Sequence, residues 1–152
     1  MMKRVRLVLL AACLGAPAAA QQPADFAPGQ VWSYRVVEGD NASRIVVGKV
    51  ETYPKDGETV HVTITDLSLP DAMSPGGTAM MFDVTHVALT KDALERSVLE
   101  YEGTRPVSPV FEEAYAAWRE AYDKGQTGVV DVPVAEVVEQ LRANGFAPEG
   151  GE

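Results

Sequence analysis

The sequence predicts an α+β domain, an antiparallel β-meander of about four or five strands with two or three helices packed on one face. Three observations point there. Segments of alternating apolar and polar residues succeed one another between tight-turn signals, as sequential antiparallel strands require. Helical apolar spacing begins only in the second half of the chain. The composition, 46% hydrophobic and 23% charged over 152 residues, is that of one ordinary globular domain and excludes collagen-like and disordered classes.

Residues 1–20 read as a secretory signal peptide. Lys3, Arg4 and Arg6 give a basic start, residues 7–14 an apolar run, and Ala18-Ala19-Ala20 the small residues that precede a cleavage site. An alternative is lipidation at Cys13, because Leu10-Ala11-Ala12-Cys13 resembles the lipobox of bacterial lipoproteins. The apolar run before Cys13 is short, and cleavage after Ala20 is the preferred reading. It is also short of the roughly 20 residues that a bilayer requires. Removing this leader takes away three basic residues and no acidic one, so the net charge moves from -9 to -12 and the single cysteine leaves with it. Without cysteine the mature domain has no thiolate chemistry, thiolate zinc site or iron–sulfur centre. Its acidity, with no basic cluster beyond the first residues, argues against nucleic acid. The expected location is periplasmic or secreted, or lipid-anchored in the cell envelope through Cys13.

Residues 21–29, with Pro23, Pro28 and Gly29, read as a linker, 30–145 as the domain and 146–152 as a frayed tail. A first strand over 31–36 sets Trp32, Tyr34 and Val36 on one face, and turn residues follow at 38–41. The second strand covers 43–53, with Ile45, Val46, Val47 and Val50, and Asp56-Gly57 marks the hairpin after it. On the third, over 59–67, Val60, Val62 and Ile64 alternate with His61, Thr63 and Thr65. Residues 69–83 form the longest irregular stretch, broken by Pro70, Pro75, Gly76 and Gly77. A fourth strand over 84–89 leads to Thr90, the cap of a helix over 91–101 with Leu94, Val98 and Tyr101 on its stripe. The clearest helix follows, with Ser108 as N-cap, Pro109 in the first turn and Gly125 at its close. Its stripe of Phe111, Tyr115, Trp118 and Tyr122 is expected to cover the sheet and meet Trp32 and Tyr34. Residues 128–132 offer a further strand. Pro133 then opens a last helix bearing Val134, Val137, Val138 and Leu141, which Asn144-Gly145 stops.

Two stretches, Pro28-Gly29-Gln30-Val31-Trp32-Ser33-Tyr34-Arg35 and the run Tyr-Ala-Ala-Trp-Arg-Glu-Ala-Tyr-Asp-Lys-Gly-Gln-Thr-Gly-Val at 115–129, resemble an uncharacterised family of short bacterial proteins. Its members open with such a strand and close with such a helix. The resemblance implies a fold unit and no chemistry.

No His-x-x-x-His, His-Glu-x-x-His, Gly-x-Ser-x-Gly or phosphate-loop pattern is present. The expected function is that of an exported, non-catalytic envelope domain without cofactor. It would bind an envelope protein or a small ligand through the 69–83 loop or through an exposed face of His61, Thr63 and Thr65. A basic macromolecular partner suits the charge. On this reading His61 is a solvated surface histidine, whereas His86, beside Val87 and Leu89, is partly buried and hydrogen-bonded. A first alternative is copper handling by Met80 and Met81, with Met73 nearby, together with His86, since thioether and imidazole ligands suit Cu(I). The ordinary role of such methionines is to fill gaps between a loop and a sheet. A second alternative is a small hydrolase-like enzyme in which His86 works with Asp66 or Asp83 as an acid/base pair. Solvated loop ends account for those aspartates more simply.

Overall fold

Strands β1 (Gln30–Tyr34), β2 (Arg44–Tyr53), β3 (Gly57–Ser68) and β4 (Met81–Thr90) each pair antiparallel with the next. A fifth strand, β5 (Val98–Thr104), returns to pair antiparallel with β1, so the sheet order is β4-β3-β2-β1-β5. Three helices complete the chain: α1 (Lys91–Ser97), α2 (Pro109–Asp123) and α3 (Val134–Ala143). The architecture is therefore the α+β antiparallel meander that the alternation predicts. The computed structural model describes residues 22–36, 39–68 and 81–144. The leader with Cys13, most of the expected irregular stretch, including Met73 and Met80, and the expected tail lie outside the described residues. No helix among the described residues is long and apolar enough to cross a membrane.

The helices do not share one face; they divide between two. Ile45, Val47, Val60, Val62 and Ile64 form a fully buried aliphatic layer against Leu94 of α1 and Val134 and Val138 of α3. Each such side chain contributes about 1.5–3 kcal/mol by leaving water. Trp32 and Tyr34 belong to this layer, where Trp32 packs on Phe26 and Tyr101 with ring centroids 5.5 and 5.4 Å apart. Helix α2 lies on the opposite face. Its aromatic stripe therefore never meets Trp32 and Tyr34, because α1 and α3 already fill the face to which those rings point.

One residue in β2 makes the second face chemically different from the first. Val47 stands opposite Val62 and Lys49 opposite His61, so Gly48 is an extra residue, a β-bulge. Before the bulge the odd-numbered Ile45 and Val47 face the aliphatic layer, and after it the even-numbered Val50 does. The shift turns Lys49, Glu51 and Tyr53 toward α2, beside His61 of β3. Only glycine fits there: a Cβ on residue 48 would stand 2.1 Å from Cζ of Phe111, whose ring lies on the bare backbone.

Several local expectations are corrected. The helix predicted over 91–101 stops at Ser97, and Val98, Leu99, Glu100 and Tyr101 enter β5 beside β1. The Leu94, Val98 and Tyr101 stripe fits a helix, but pairing with an open strand edge overrides it. Thr90 does cap α1, accepting from Ala93 N at 3.1 Å. Residues 128–132 make a single parallel bridge, Val130 with Leu89, rather than a strand. Met81, Phe82 and Asp83 belong to β4 and not to an irregular loop. Residues 22–29 are no free linker: Phe26 packs on Trp32, and Gly29 N donates to Val47 O at 2.7 Å.

Candidate functional site

Beneath α2 the sheet holds a buried polar chain. Ser108 caps the helix, accepting from Val110 N at 3.3 Å, and Pro109 occupies its first turn. The spacing of Phe111, Tyr115, Trp118 and Tyr122 then lays four rings on the sheet. His61 is enclosed by them, with Trp118 and Tyr115 ring centroids at 4.9 and 5.0 Å, both nearly perpendicular. The expectation of a solvated His61 is thus overturned: it is 0% exposed, because α2 returns to cover the strand face that looks polar in isolation. His86 of β4 lies beside it, partly buried as expected, with the two imidazoles stacked at 5.2 Å.

The donors and acceptors of this chain have one consistent order. Tyr53 and Tyr115 both donate their hydroxyl protons to Glu51 Oε2, the second at 2.7 Å. The Tyr53 oxygen is then free to accept from His61 Nε2, 3.2 Å away, with Glu51 Oε2 3.4 Å from the same nitrogen. His61 Nδ1 in turn accepts from His86 Nε2 at 2.9 Å. Both imidazoles are neutral at neutral pH: burial above all, joined for His86 by proximity to His61, brings each down to about 4. Burial works to raise Glu51, but the two tyrosine hydroxyls outweigh it and hold the carboxyl below its usual range. Burial and the Glu51 contact raise Tyr53 and Tyr115. A carboxylate accepting phenol protons beside neutral histidines is a connected network, and its Tyr115–Glu51 bond ties α2 to the sheet.

Next to this chain, on the same sheet face, a cleft of ≈ 260 Å³ opens between the sheet and the 105–108 segment that leads into α2. Val46 and Gly48 of β2, Thr63 and Thr65 of β3 and Asp83 of β4 line one wall. Arg105 and Ser108 belong to the other. The segment is held by Arg105 N, which donates to Gly29 O at 2.9 Å. Thr63 Oγ1 donates to Thr85 O at 3.0 Å and Thr65 Oγ1 to Arg44 O at 3.4 Å. Asp83 Oδ1 accepts from Asp66 N at 2.9 Å. Neither Asp83 nor Arg105 forms an ion pair among the described residues. In a second groove of ≈ 350 Å³, lined by Asp56, Glu58, Asp92 and Asp131, the acidic side chains predominate and the one lining cation is neutralised. Its Lys91 is paired with Glu58 at 3.2 Å and Arg96 with Asp131 at 3.3 Å.

The residues singled out in the sequence are therefore distributed unevenly. Thr63 and Thr65 line the cleft, whereas His61 lies under α2. Asp83 reaches Asp66 only through the latter's backbone amide, and no hydrogen bond joins His86 to either aspartate among the described residues. Met81 is 53% exposed at the start of β4, and Nε2 of His86 is engaged by His61. Among the described residues no three His, Cys, Asp or Glu side chains are arranged to hold a metal ion. Sequence reasoning missed Glu51, Tyr53 and Arg105. An isolated glycine inside a strand pattern was the available signal for the bulge that brings the first two to the site.

No family model matches the sequence, and neither a curated protein nor a solved structure does.

Proposed function

We propose that this protein is an exported, non-catalytic binding domain of a bacterial envelope, which holds a small polar ligand in the cleft beside α2. One observation above all supports this reading: Asp83 and Arg105, opposite in charge, line one concavity without an ion pair to each other or to any other described residue. Unpaired charges converging on a concave surface are what a polar ligand needs. The buried histidines serve as structure. Their hydrogen bonds and ring contacts lie inside the α2 interface, and neither lines the cleft.

Export rests on the basic, apolar and small-residue order of the first 20 residues. Mass spectrometry of the cellular protein is expected to find Gln21 at the N-terminus, and an intact Met1 would refute export by this leader. For binding, an NMR titration of the protein with pooled small polar metabolites is expected to move the amides of Gly48, Thr63, Thr65 and Arg105. Those shifts should vanish in Thr65→Phe, which fills the cleft. Compounds that perturb only residues elsewhere, or none that perturb any residue, would overturn the reading.

A further inference from the structure

The two walls of the cleft differ in kind. Both threonine hydroxyl protons on the sheet wall are taken up by backbone carbonyls, so Thr63 and Thr65 present only acceptor lone pairs to a ligand. Asp83 has one carboxylate oxygen occupied by Asp66 N and the other without a hydrogen-bond partner among the described residues. This wall accepts hydrogen bonds and carries negative charge. Across from it, Arg105 offers the rigid fork of donors that matches a carboxylate in bidentate fashion. Its backbone is held in place by Gly29. The remaining lining is mainly apolar: Val46 on the sheet side, Pro106 and Val107 on the segment side. The cleft, ≈ 260 Å³, falls below the roughly 300–1,000 Å³ of sites for drug-sized ligands.

From this polarity, and resting on the cleft reading above, we propose that the ligand is a small zwitterion of the amino-acid class. Its primary ammonium is held by Asp83, Thr63 and Thr65, and its carboxylate by Arg105. An ammonium has three donors and no acceptor, which suits the acceptor-only wall. A carboxylate has only acceptors, which suits the guanidinium. The short aliphatic part lies over Val46, facing Pro106 and Val107. A simple anion would lack a partner for Asp83 and a simple cation would lack one for Arg105, so neither satisfies both walls.

Isothermal titration of the purified protein tests this with four probes. L-alanine and γ-aminobutyrate keep both charges at different separations; N-acetyl-L-alanine lacks the ammonium and L-alanine amide lacks the carboxylate. At least one zwitterion is expected to bind at least tenfold more tightly than either single-charge analogue. Arg105→Gln should weaken the zwitterion tenfold or more and leave L-alanine amide unchanged. Asp83→Asn should weaken the zwitterion and leave N-acetyl-L-alanine unchanged, and its amide oxygen can still accept from Asp66 N, which preserves the local fold. Equal binding of N-acetyl-L-alanine or of the amide would overturn the zwitterion assignment, as would no binding of either zwitterion. If other metabolites still shift the cleft amides in the NMR titration, only the ligand class falls. If none does, the cleft reading falls with it.

Discussion

Acidification from pH 7.5 to 5 should destabilise the protein through the two imidazoles under α2. The groups that face them are Glu51, Lys49 and Tyr53 from β2, Tyr115 and Arg119 from α2, and each other. Burial lowers both folded values to about 4, against the usual 6.5 when the chain is unfolded. Between those values the unfolded chain binds more protons than the native protein, so stability rises with pH through the window and is fully present above 6.5. At pH 5 the loss works out at about 2 kcal/mol for each imidazole, about 4 kcal/mol for the pair. That is a large share of the 5–15 kcal/mol typical of a domain. Glu51 and Asp40, whose carboxyls are held below their usual range, add an acid loss only below their unfolded values of 4.5 and 3.8, so they leave this window undisturbed. Urea unfolding at closely spaced pH values measures the effect. His86→Gln retains a donor for His61 Nδ1 and should halve the slope, from about two protons to about one. A free energy of unfolding equal at pH 7.5 and 5, or a slope unchanged in His86→Gln, would refute the buried-neutral assignment.

Gly48→Ala should cost about 1–3 kcal/mol, the usual range for overpacking, because its methyl would meet the Phe111 ring. Urea unfolding of Gly48→Ala in a Phe111→Leu background should recover part of that loss, and strict additivity of the two changes would argue against the contact. Arg142 of α3 donates to Asp40 Oδ1 at 2.6 Å and to Ser68 O at 2.9 Å, tying the helix end to the sheet. Arg142→Met leaves the enclosed Asp40 carboxylate without its cation and should cost about 3–5 kcal/mol. The double change with Asp40→Asn should be clearly more stable than Arg142→Met alone in the same unfolding assay.

Alternation in 31–36, 43–53 and 59–67 was enough to find β1, β2 and β3, since a strand half in contact with a core shows its period locally. The ends of α2 were also legible, because Ser108, Pro109 and Gly125 act locally: a side-chain cap, a fixed φ and a positive φ. What escaped was set at a distance. Val98 to Tyr101 suits either helix or strand, and the free edge of β1 decides. His61 has polar neighbours along its strand, and nothing nearby announces the helix that covers it. The aromatic stripe of α2 implied a sheet face but not which one; that depends on α1 and α3 filling the other. Of the cleft, Thr63, Thr65 and Asp83 could be picked out from strand and loop position. Arg105 could not, because only its backbone bond to Gly29 brings it there.

The position of β1 has a consequence for the order of assembly. Its partners on the two sides come from distant parts of the chain: Trp32 pairs with Ile45 on one side, while Gln30 pairs with Thr104 on the other. The three hairpin-linked contacts can form early, since their loops close cheaply. The last contact closes a loop of more than 60 residues, and α2 follows it in the chain. Sheets completed by such distant pairings fold over milliseconds to seconds. Until β5 arrives, β1 presents an open edge, and the face of His61 and Glu51 stands without its helix.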